Sequence, residues 1–431
     1  MRMLANLRNV SRASSVSAHF RRHASTGTRK HKIVVVGGGA GGLSSAAMLL
    51  RKGGLSADVA VVEPSSSHFY QPLWTLVGGG IKEAEESRRD MASVMPKDAT
   101  WIQSAAKTID PDEQAVILES GDKVFYDYLL VAAGIKVNFD SIAGLKETIG
   151  KNGVSSIYDF NYCTDAWKDV EALKSGTALF TMPSTAVKCG GAPQKIMWVA
   201  EDYWRHQAKV RDNIHIEFMA GTGAIFAVPK YAAALEGIRK ERGVETSFKH
   251  ELIKVDGPNK VATFQTDEGP VERSYDLLHV VPLMGAHDWI KGSKIADPDT
   301  GYVTVDKDTL QHTAYPNVFA IGDCSNTPNS KTAAAAPVVV HNMRRVMAGK
   351  APNATYDGYA SCPIVTGRGK LILAEFKYGN ELAESQSWYL DQGKEQLPFF
   401  YLKKYVFPNF MLPGRWYGTR TIFEPSFPDP A

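Results

Sequence analysis

Cysteine is scarce in this chain of 431 residues, which contains four, and no two of them are spaced as Cys-x-x-Cys. Four cysteines are too few for a disulfide-stapled scaffold, and the missing spacing argues against zinc and against a disulfide reductase of the glutathione-reductase type. We therefore predict no metal site. An apolar run of about 18 residues is absent as well, so no transmembrane helix is expected.

Acidic residues are absent before Asp58, whereas the first 30 residues carry seven Arg and Lys among many Ser and Ala. This composition, without an apolar core, is typical of an organelle transit peptide, although a disordered basic tail is the alternative. We predict a transit peptide over residues 1–30, cleaved after Arg22, near residues 23–28. Without its seven basic residues, the 49 Lys and Arg of the chain fall to 42, against 46 Asp and Glu. The rest of the chain is mildly acidic, so we expect no nucleic-acid partner.

The glycine-rich segment 37–42 reads Gly-Gly-Gly-Ala-Gly-Gly and contains the pattern Gly-x-Gly-x-x-Gly. It follows a strand predicted over residues 32–36, opens a helix predicted over 43–52, and precedes a second strand that ends at Glu63. In this context the motif binds a dinucleotide, with the pyrophosphate at the helix N-terminus and the acid on the ribose hydroxyls. A glycine-rich turn without a ligand is the alternative.

Two later segments complete a pattern found in flavoproteins with two dinucleotide-binding domains. Residues 315–323 form a predicted strand that ends in Gly322-Asp323, which resembles the second FAD fingerprint of that class. Residues 131–134, Val-Ala-Ala-Gly, resemble the strand end that closes the FAD domain. Because the three motifs occur in the order of that class, FAD is favoured over NAD at the first site. A solvated turn at Gly322-Asp323 is the alternative.

A second glycine fingerprint, which NAD(P)H-dependent flavoproteins carry midway along the chain, is missing. The corresponding predicted strand, 177–181, runs into a segment without Gly-x-Gly-x-x-Gly, where Pro183 and Lys188 occupy a region in which NAD-binding members need glycine. We therefore predict a second Rossmann-like domain that keeps the fold without binding NAD(P)H. The electron donor should be another molecule.

The four cysteines are Cys163, Cys189, Cys324 and Cys362. Cys189 stands between Lys188, which could stabilise a thiolate, and two glycines, which allow close approach of a bulky partner. Cys362 lies 173 positions further along, so only the fold can bring these two together. For any single cysteine, a buried and unreactive side chain is the alternative.

From about residue 32 to the tail, the chain resembles the mitochondrial sulfide:quinone oxidoreductase family. Its most specific segments are Lys-Cys-Gly-Gly-Ala-Pro-Gln-Lys at 188–195 and Ser-Cys-Pro at 361–363. The resemblance implies that Cys189 and Cys362 flank the flavin and form a redox-active disulfide or trisulfide. The surroundings of Cys163 do not match a third family cysteine, so we interpret it as structural, and we expect Cys324 to pack near the flavin.

The resemblance also implies a reaction, with hydrogen sulfide and ubiquinone as substrates. Hydrosulfide attacks the disulfide, leaving a persulfide on the Cys362 side and a thiolate at Cys189 that approaches the flavin. Electrons then pass through FAD to ubiquinone, and the sulfane sulfur leaves to glutathione, sulfite or cyanide. The site residues are the catalytic Cys189 and Cys362 and the FAD-binding residues Gly37, Gly39, Ala40, Gly41, Gly42, Glu63, Gln71, Ala106, Gly134, Asp323, Lys331 and Thr332.

The tail segment 398–417 contains eight aromatic residues in twenty positions, with Lys403, Lys404 and Arg415 between them. Aromatic and basic residues together suit a bilayer interface, and a lipid-soluble quinone needs such an entry. We therefore expect peripheral or monotopic association with the mitochondrial inner membrane. A C-terminal segment packed on the core is the alternative.

The predicted fold is α/β, with two tandem Rossmann-like domains and a C-terminal membrane-associating region. Its parts are the transit peptide 1–30, the FAD-binding domain 31–150 and 300–350, the second Rossmann-like domain 151–299, and the cysteine and quinone or membrane region 351–431. A type II NADH:quinone oxidoreductase shares this architecture, but the missing fingerprint and the cysteine segments argue against it. A sulfide dehydrogenase subunit that pairs with a cytochrome is disfavoured by the tail. A non-catalytic mitochondrial flavin-binding protein would need no reactive cysteines.

Overall fold

The computed structural model describes residues 29–51, 58–327 and 332–415, and the side chains of 332, 333 and 410–415 are outside the description. The predicted transit peptide therefore falls almost wholly outside the described residues. Its last two positions, Arg29 and Lys30, belong to the first strand, where they pair with Val124 and Phe125.

The described residues form strands and helices that alternate in two blocks. The strands are β1 (Arg29–Val36), β2 (Val59–Val62), β3 (Ser67–Phe69), β4 (Arg88–Asp90), β5 (Thr100–Ile102), β6 (Ala106–Asp110), β7 (Ala115–Leu118), β8 (Lys123–Val131), β9 (Lys136–Asn138), β10 (Val154–Ser155), β11 (Gly176–Met182), β12 (Ile214–Ala220), β13 (Glu245–Phe248), β14 (Glu251–Asp256), β15 (Val261–Thr266), β16 (Gly269–Ser274), β17 (Leu277–His279), β18 (Leu283–Gly285), β19 (Val318–Ala320), β20 (Ala360–Gly367) and β21 (Lys370–Phe376). The α-helices are α1 (Ala40–Arg51), α2 (Trp74–Gly78), α3 (Met91–Val94), α4 (Leu145–Thr148), α5 (Phe160–Ala172), α6 (Ala192–His206), α7 (Pro229–Arg242), α8 (Asp288–Lys291), α9 (Thr332–Met347) and α10 (Leu397–Tyr401). Short 3₁₀ turns cover Gln71–Leu73, Ala84–Ser87, Phe139–Ser141, Arg211–Asn213 and Tyr378–Asn380, and a π-helical segment covers Leu402–Arg415.

The first block is a parallel sheet in the order β5-β2-β1-β8-β19, with β6 and β7 added to β8 as an antiparallel extension. The second half of β1, Ile33–Val36, and all of β2 are apolar and buried, as strands covered on both faces require. Helices α1 and α9 pack against each other, and their side chains share one apolar cluster with β1 and β2. Since β19 comes from a distant part of the chain, the two predicted FAD segments meet in one sheet.

The second block is a parallel sheet in the order β10-β17-β11-β12-β13. Strands β14, β15 and β16 form a separate antiparallel sheet. Within this block, β11, α6 and β12 follow one another along the chain, and β11 pairs with β12 in parallel. This unit repeats the strand–helix–strand arrangement of the first block and confirms the predicted α/β fold class.

The antiparallel hairpin β20–β21 connects the second block to the C-terminal segment. β20 packs on α6, and residues of both contribute to one apolar cluster that includes Trp198 and Ile364. On α10, Phe399 and Phe400 are buried against Val365 and Leu371 of the hairpin. Among the helices that the structure describes, none combines the length and the apolar character needed to cross a membrane.

Candidate functional site

The glycine segment forms a tight turn between β1 and α1. Gly37 has a φ of +110°, and a Cβ there would lie 2.5 Å from the carbonyl oxygen of Ala132. A Cβ on Gly42 would lie 1.8 Å from the Gly37 carbonyl oxygen, so both positions exclude any side chain. A Cβ on Gly41 would make ordinary contact with Ile321 and Ala132, the residues that follow β19 and β8. The turn is therefore held against the chain that follows β8 and β19.

This turn fits a dinucleotide. A Cβ on Gly39 would meet nothing within 4 Å, so the turn presents open backbone at the N-terminus of α1, which begins at Ala40. Glu63 follows β2, and its carboxylate accepts hydrogen bonds from the backbone N–H groups of Gly38, at 2.7 Å, and Ser65, at 2.7 Å. The carboxylate thus lies beside the glycine turn, where the ribose of a bound dinucleotide needs an acceptor.

Two further predicted residues lie at the carboxyl ends of neighbouring strands. These residues are Gly134, which follows β8, and Asp323, which follows β19 after Gly322. Gly134 and Gly322 have positive φ values, +70° and +79°, with open space where a Cβ would stand. Asp323 is half-buried beside them. Because parallel strands of an open α/β sheet carry their ligands at the carboxyl ends, these positions suit a cofactor that extends from the glycine turn.

The structure brings Cys189 and Cys362 together, with their Sγ atoms 3.7 Å apart. Cys189 lies in the loop that precedes α6, and Cys362 lies on β20 opposite Ala374. The packing of β20 on α6 is what closes the 173-residue separation. A small movement of either side chain would allow a disulfide, whose S–S bond is about 2.05 Å long.

Glycine at the start of α6 makes this approach possible. Gly191 is the residue that precedes the first turn, and a Cβ on it would lie 2.8 Å from Cys362 Sγ. By contrast, a Cβ on Gly190 would meet nothing within 4 Å. The Lys-Cys-Gly-Gly pattern thus contains one glycine that the cysteine pair requires and one that it does not.

Positive charge surrounds the pair. The buried ammonium of Lys195, in the first turn of α6, donates to Cys189 Sγ at 3.4 Å. Burial alone would lower the pKa of Lys195, but Cys189 and Cys362 raise it above its usual value on balance. The N-terminal end of the 15-residue helix α6 adds a positive dipole end. Both features favour a thiolate at Cys189.

Lys403 of the C-terminal segment also reaches this site. Its side chain is 6% exposed, and its ammonium donates to the carbonyl oxygen of Pro72 at 3.2 Å. Burial and the charge of Lys195 lower the pKa of Lys403 to about 7, against the opposing effect of Cys189 and Cys362. The sequence suggested that Lys403 faces lipid head groups; instead it points into the protein, because its ammonium finds a carbonyl and the cysteine pair there.

Lys188 links the cysteine loop to the predicted cofactor residues. Its ammonium donates to Gln71 Oε1 at 3.0 Å and lies 5.8 Å from the ring centre of Trp74. Burial lowers the pKa of Lys188, whereas Asp323 and Asp159 act in the opposite direction. Charge contact with Asp323 and the hydrogen bond to Gln71 therefore place the cysteine loop next to the carboxyl end of the first sheet.

The remaining predicted residues have different outcomes. Ala106 is buried at the start of β6 in an apolar cluster with Ile102 and Ile109, and its role as a cofactor contact stays a prediction. Lys331 lies outside the described residues, and Thr332 is the first residue of α9 with its side chain outside the description. The two other cysteines are fully buried. Burial raises the pKa of Cys163 and of Cys324 to about 12, so neither is a thiolate near neutral pH.

Sequence reasoning missed three residues of the cysteine site. They are Lys195, Lys403 and Tyr158, whose hydroxyl donates to the Cys189 carbonyl at 3.4 Å. The position of Lys195 at the end of the segment 188–195, six residues after Cys189, was a usable signal. Nothing in the sequence near Lys403 or Tyr158 pointed to the cysteines, because their approach depends on tertiary packing.

The second sheet has a carboxylate where a dinucleotide-binding domain needs a phosphate pocket. β11 ends at Met182, but α6 begins only at Ala192, so no short glycine turn joins them. Glu251 accepts a hydrogen bond from the Ser184 N–H at 2.7 Å, and a Cβ on Gly221 would lie 2.4 Å from its Oε2. A negative charge at the carboxyl ends of β11 and β12 disfavours an anionic pyrophosphate there.

Comparisons with known proteins identify the family and the fold. The family model for "Pyridine nucleotide-disulphide oxidoreductase" matches residues 31–337. A "Sulfide:quinone oxidoreductase, mitochondrial" of Dictyostelium discoideum is 48% identical over 85% of this chain and 83% of its own length. A sulfide:quinone oxidoreductase structure from Aquifex aeolicus has a TM-score of 0.75 at 18% identity, covering 91% of this chain and 92% of that one. A chain in the mitochondrial ATP synthase structure of Tetrahymena thermophila has a TM-score of 0.79 at 18% identity, covering 92% and 98%. The two structural likenesses concern the fold alone.

Proposed function

Because the chain belongs to the sulfide:quinone oxidoreductases of the pyridine nucleotide-disulphide oxidoreductase family, we propose that it is a mitochondrial FAD enzyme that oxidises hydrogen sulfide and reduces ubiquinone. The observation that carries the proposal is the pair Cys189 and Cys362, 3.7 Å apart beside the ammonium of Lys195. A flavin enzyme that passes electrons directly from NADH to a quinone needs no such pair.

The cofactor would be held by residues of the first sheet. Gly39 and the N-terminus of α1 would face the pyrophosphate, and Glu63 would accept the ribose hydroxyls. Gly134, Asp323 and Gln71 would line the part that extends toward the cysteines. FAD, when bound, supplies the two-electron acceptor that lets the disulfide re-form and passes those electrons to the quinone. The predicted division into a FAD-binding domain, 31–150 and 300–350, and a second domain, 151–299, is part of this proposal.

The sulfur chemistry belongs to the two cysteines. Hydrosulfide attacks the disulfide at Cys362, so that one S–S bond forms, the Cys189–Cys362 bond breaks, and the leaving electron pair stays on Cys189 as a thiolate. Lys195 and the N-terminus of α6 stabilise that thiolate. The outer sulfur of the persulfide then transfers to a nucleophile such as glutathione, sulfite or cyanide, and Cys362 leaves as a thiolate. Cys189 and Cys362 are then both thiolates, and loss of two electrons from this pair re-forms the disulfide.

Quinone reduction requires access from a lipid surface, and the exposed apolar side chains indicate where it lies. Seven of the eight large apolar side chains that are exposed in the described residues fall within 382–406, so one stretch of the chain carries nearly all of them. They are Leu382, Trp388, Tyr389, Leu397, Tyr401, Tyr405 and Val406. We propose that this region faces the inner mitochondrial membrane. Within the tail, Phe399 and Phe400 are buried against the core, whereas Tyr401 and Tyr405 are about half exposed and would be available for the proposed contact.

The proposal predicts the electron donor in a steady-state assay. Purified protein with FAD should reduce a short-chain ubiquinone analogue when sulfide is supplied with sulfite or glutathione, and should not do so with NADH. We expect no reaction with NADH because the Glu251 carboxylate, at the carboxyl ends of β11 and β12, disfavours an anionic pyrophosphate there. Rapid quinone reduction by NADH together with no response to sulfide would favour a type II NADH:quinone oxidoreductase instead.

A further inference from the structure

The strand that carries Cys362, β20, touches α6 near both of its ends. At the near end, a Cβ on Gly191 would lie 2.8 Å from Cys362 Sγ. At the far end, a Cβ on Gly367, the last residue of β20, would lie 2.6 Å from Oδ1 of Asp202 on α6. Helix and strand therefore run side by side in the same direction, from the cysteine pair to the turn that joins β20 to β21.

The two elements match in length between these contacts. At about 1.5 Å per residue, the chain from Gly191 to Asp202 covers about 16 Å along the helix axis. At about 3.3 Å per residue, the strand from Cys362 to Gly367 also covers about 16 Å. Because the two distances agree, any slide of β20 along α6 would disturb the contact at the far end and the approach of the two sulfurs together.

The contact at the far end is made by a buried carboxylate. Asp202 is 3% exposed, and its Oδ2 accepts a hydrogen bond from the backbone N–H of Arg368, in the turn after β20, at 3.1 Å. Its Oδ1 lies 3.7 Å from the ammonium of Lys370, at the start of β21, and 3.8 Å from His206 Nε2. A buried carboxylate is costly unless it is paired and hydrogen-bonded, so Asp202 favours the one position of the turn that supplies these partners.

The neighbouring carboxylate of α6 acts on the same end of β20 through an arginine. Glu201 is 1% exposed and lies 3.6 Å from the guanidinium of Arg242, at the end of α7. Arg242 in turn donates to the backbone carbonyl of Thr366, next to Gly367 on β20. Two adjacent carboxylates of α6 thus hold the far end of this strand, one directly and one through a guanidinium.

Resting on the proposed cysteine chemistry, we propose that Asp202 is a positioning residue for the disulfide of Cys189 and Cys362. Its hydrogen bond to the turn sets the position of β20 along α6, and that position brings Cys362 Sγ to 3.7 Å from Cys189 Sγ. Asp202 acts through the strand and takes no part in electron or sulfur transfer. Without its oxygen, β20 is no longer held at the far end, and the sulfurs meet less often in the geometry that a disulfide requires.

The equilibrium between the two thiols and the disulfide tests the proposal. FAD-loaded protein is equilibrated anaerobically with mixtures of reduced and oxidised dithiothreitol, and free thiols at Cys189 and Cys362 are counted by alkylation and mass spectrometry. In Asp202→Ala, the equilibrium constant for disulfide formation should fall at least about tenfold, because the sulfurs are less well placed. In Asp202→Asn, which loses the charge but keeps an oxygen for the Arg368 N–H, the constant should stay within about threefold.

Glu217→Ala is the matched control for the loss of a buried carboxylate. Glu217 is 7% exposed on β12, where it accepts a hydrogen bond from Ser247 Oγ. The equilibrium constant of this control should remain within about twofold of the unaltered protein. An unchanged constant in Asp202→Ala would overturn the proposal, and so would an equal fall in Asp202→Asn or in Glu217→Ala, because charge or general destabilisation would then be the cause.

Gly367→Ala keeps the test decisive if Asp202→Ala is poorly folded. Its methyl group would lie 2.6 Å from Asp202 Oδ1, so either the turn moves away from α6 or the carboxylate leaves the Arg368 N–H. The same fall in the equilibrium constant is expected, and an unchanged constant would overturn the proposal. Failure of the unaltered protein to form any disulfide would refute the proposed cysteine chemistry together with this role, whereas a normal disulfide that these variants leave unaffected would refute the positioning role alone.

Discussion

Replacing Cys189 or Cys362 with serine is expected to lower sulfide-dependent quinone reduction on the order of a thousandfold or more, while the flavin remains bound. A hydroxyl is a far weaker nucleophile than a thiolate and forms no bond to sulfur under these conditions. The glycine turn and Glu63 are built from the first sheet, separate from the loop before α6 and from β20. Flavin absorbance in the purified variants should therefore match that of the unaltered protein.

The matched control for these variants is Cys163→Ser. Cys163 is fully buried on α5, where its Sγ donates to the Phe160 carbonyl at 3.3 Å, an interaction that a serine hydroxyl also makes. Activity of this control should stay within about threefold of the unaltered enzyme, as for a residue outside the reacting groups. If either Cys189→Ser or Cys362→Ser kept more than a tenth of the activity, the two-cysteine mechanism would be wrong.

Gly191→Ala is expected to lower the rate of flavin reduction by sulfide on the order of a hundredfold without unfolding the protein. The new methyl group would lie 2.8 Å from Cys362 Sγ, so the sulfur must rotate away from Cys189. Disulfide formation demands a specific approach of the two sulfurs, and displacement of a reacting group by about 1 Å is enough for such a loss. Rapid mixing with sulfide under anaerobic conditions would measure the rate.

Gly190→Ala serves as the control, because its methyl group would enter open space one residue earlier in the same loop. Its flavin-reduction rate should remain within about twofold of the unaltered enzyme, since backbone entropy alone changes. Similar losses in both variants would mean that the loop tolerates no Cβ for reasons unrelated to Cys362. Full activity in both variants would mean that the short distance between residue 191 and Cys362 Sγ has no role in the reaction.

Much of the fold follows from short-range patterns in the sequence. The strand predicted over residues 177–181 is β11, Gly176–Met182, and the helix predicted over 43–52 is α1, Ala40–Arg51. Long apolar or amphipathic segments bounded by glycine are thus enough to locate the two Rossmann-like blocks.

The cysteine site follows from the sequence only in part. A family resemblance selected Cys189 and Cys362, but their approach depends on the hairpin β20–β21 packing on α6, a contact that no local pattern encodes. The inward orientation of Lys403 is likewise not predictable from the sequence. A basic residue among aromatics indicates a lipid-facing surface by composition, yet tertiary contacts decide which of two neighbouring lysines faces inward.

The most direct test of the central claim is an anaerobic titration of the FAD-loaded protein with sulfide, in which the absorbance of the flavin is the readout. The account predicts that about one equivalent of sulfide per flavin, added with an excess of a sulfur acceptor such as glutathione, bleaches the absorbance near 450 nm, because transfer of the sulfane sulfur frees both cysteines and their two electrons reduce one FAD. The acceptor without sulfide serves as the control. In a parallel titration, NADH should leave the flavin oxidised. Bleaching by NADH with no response to sulfide would contradict the account.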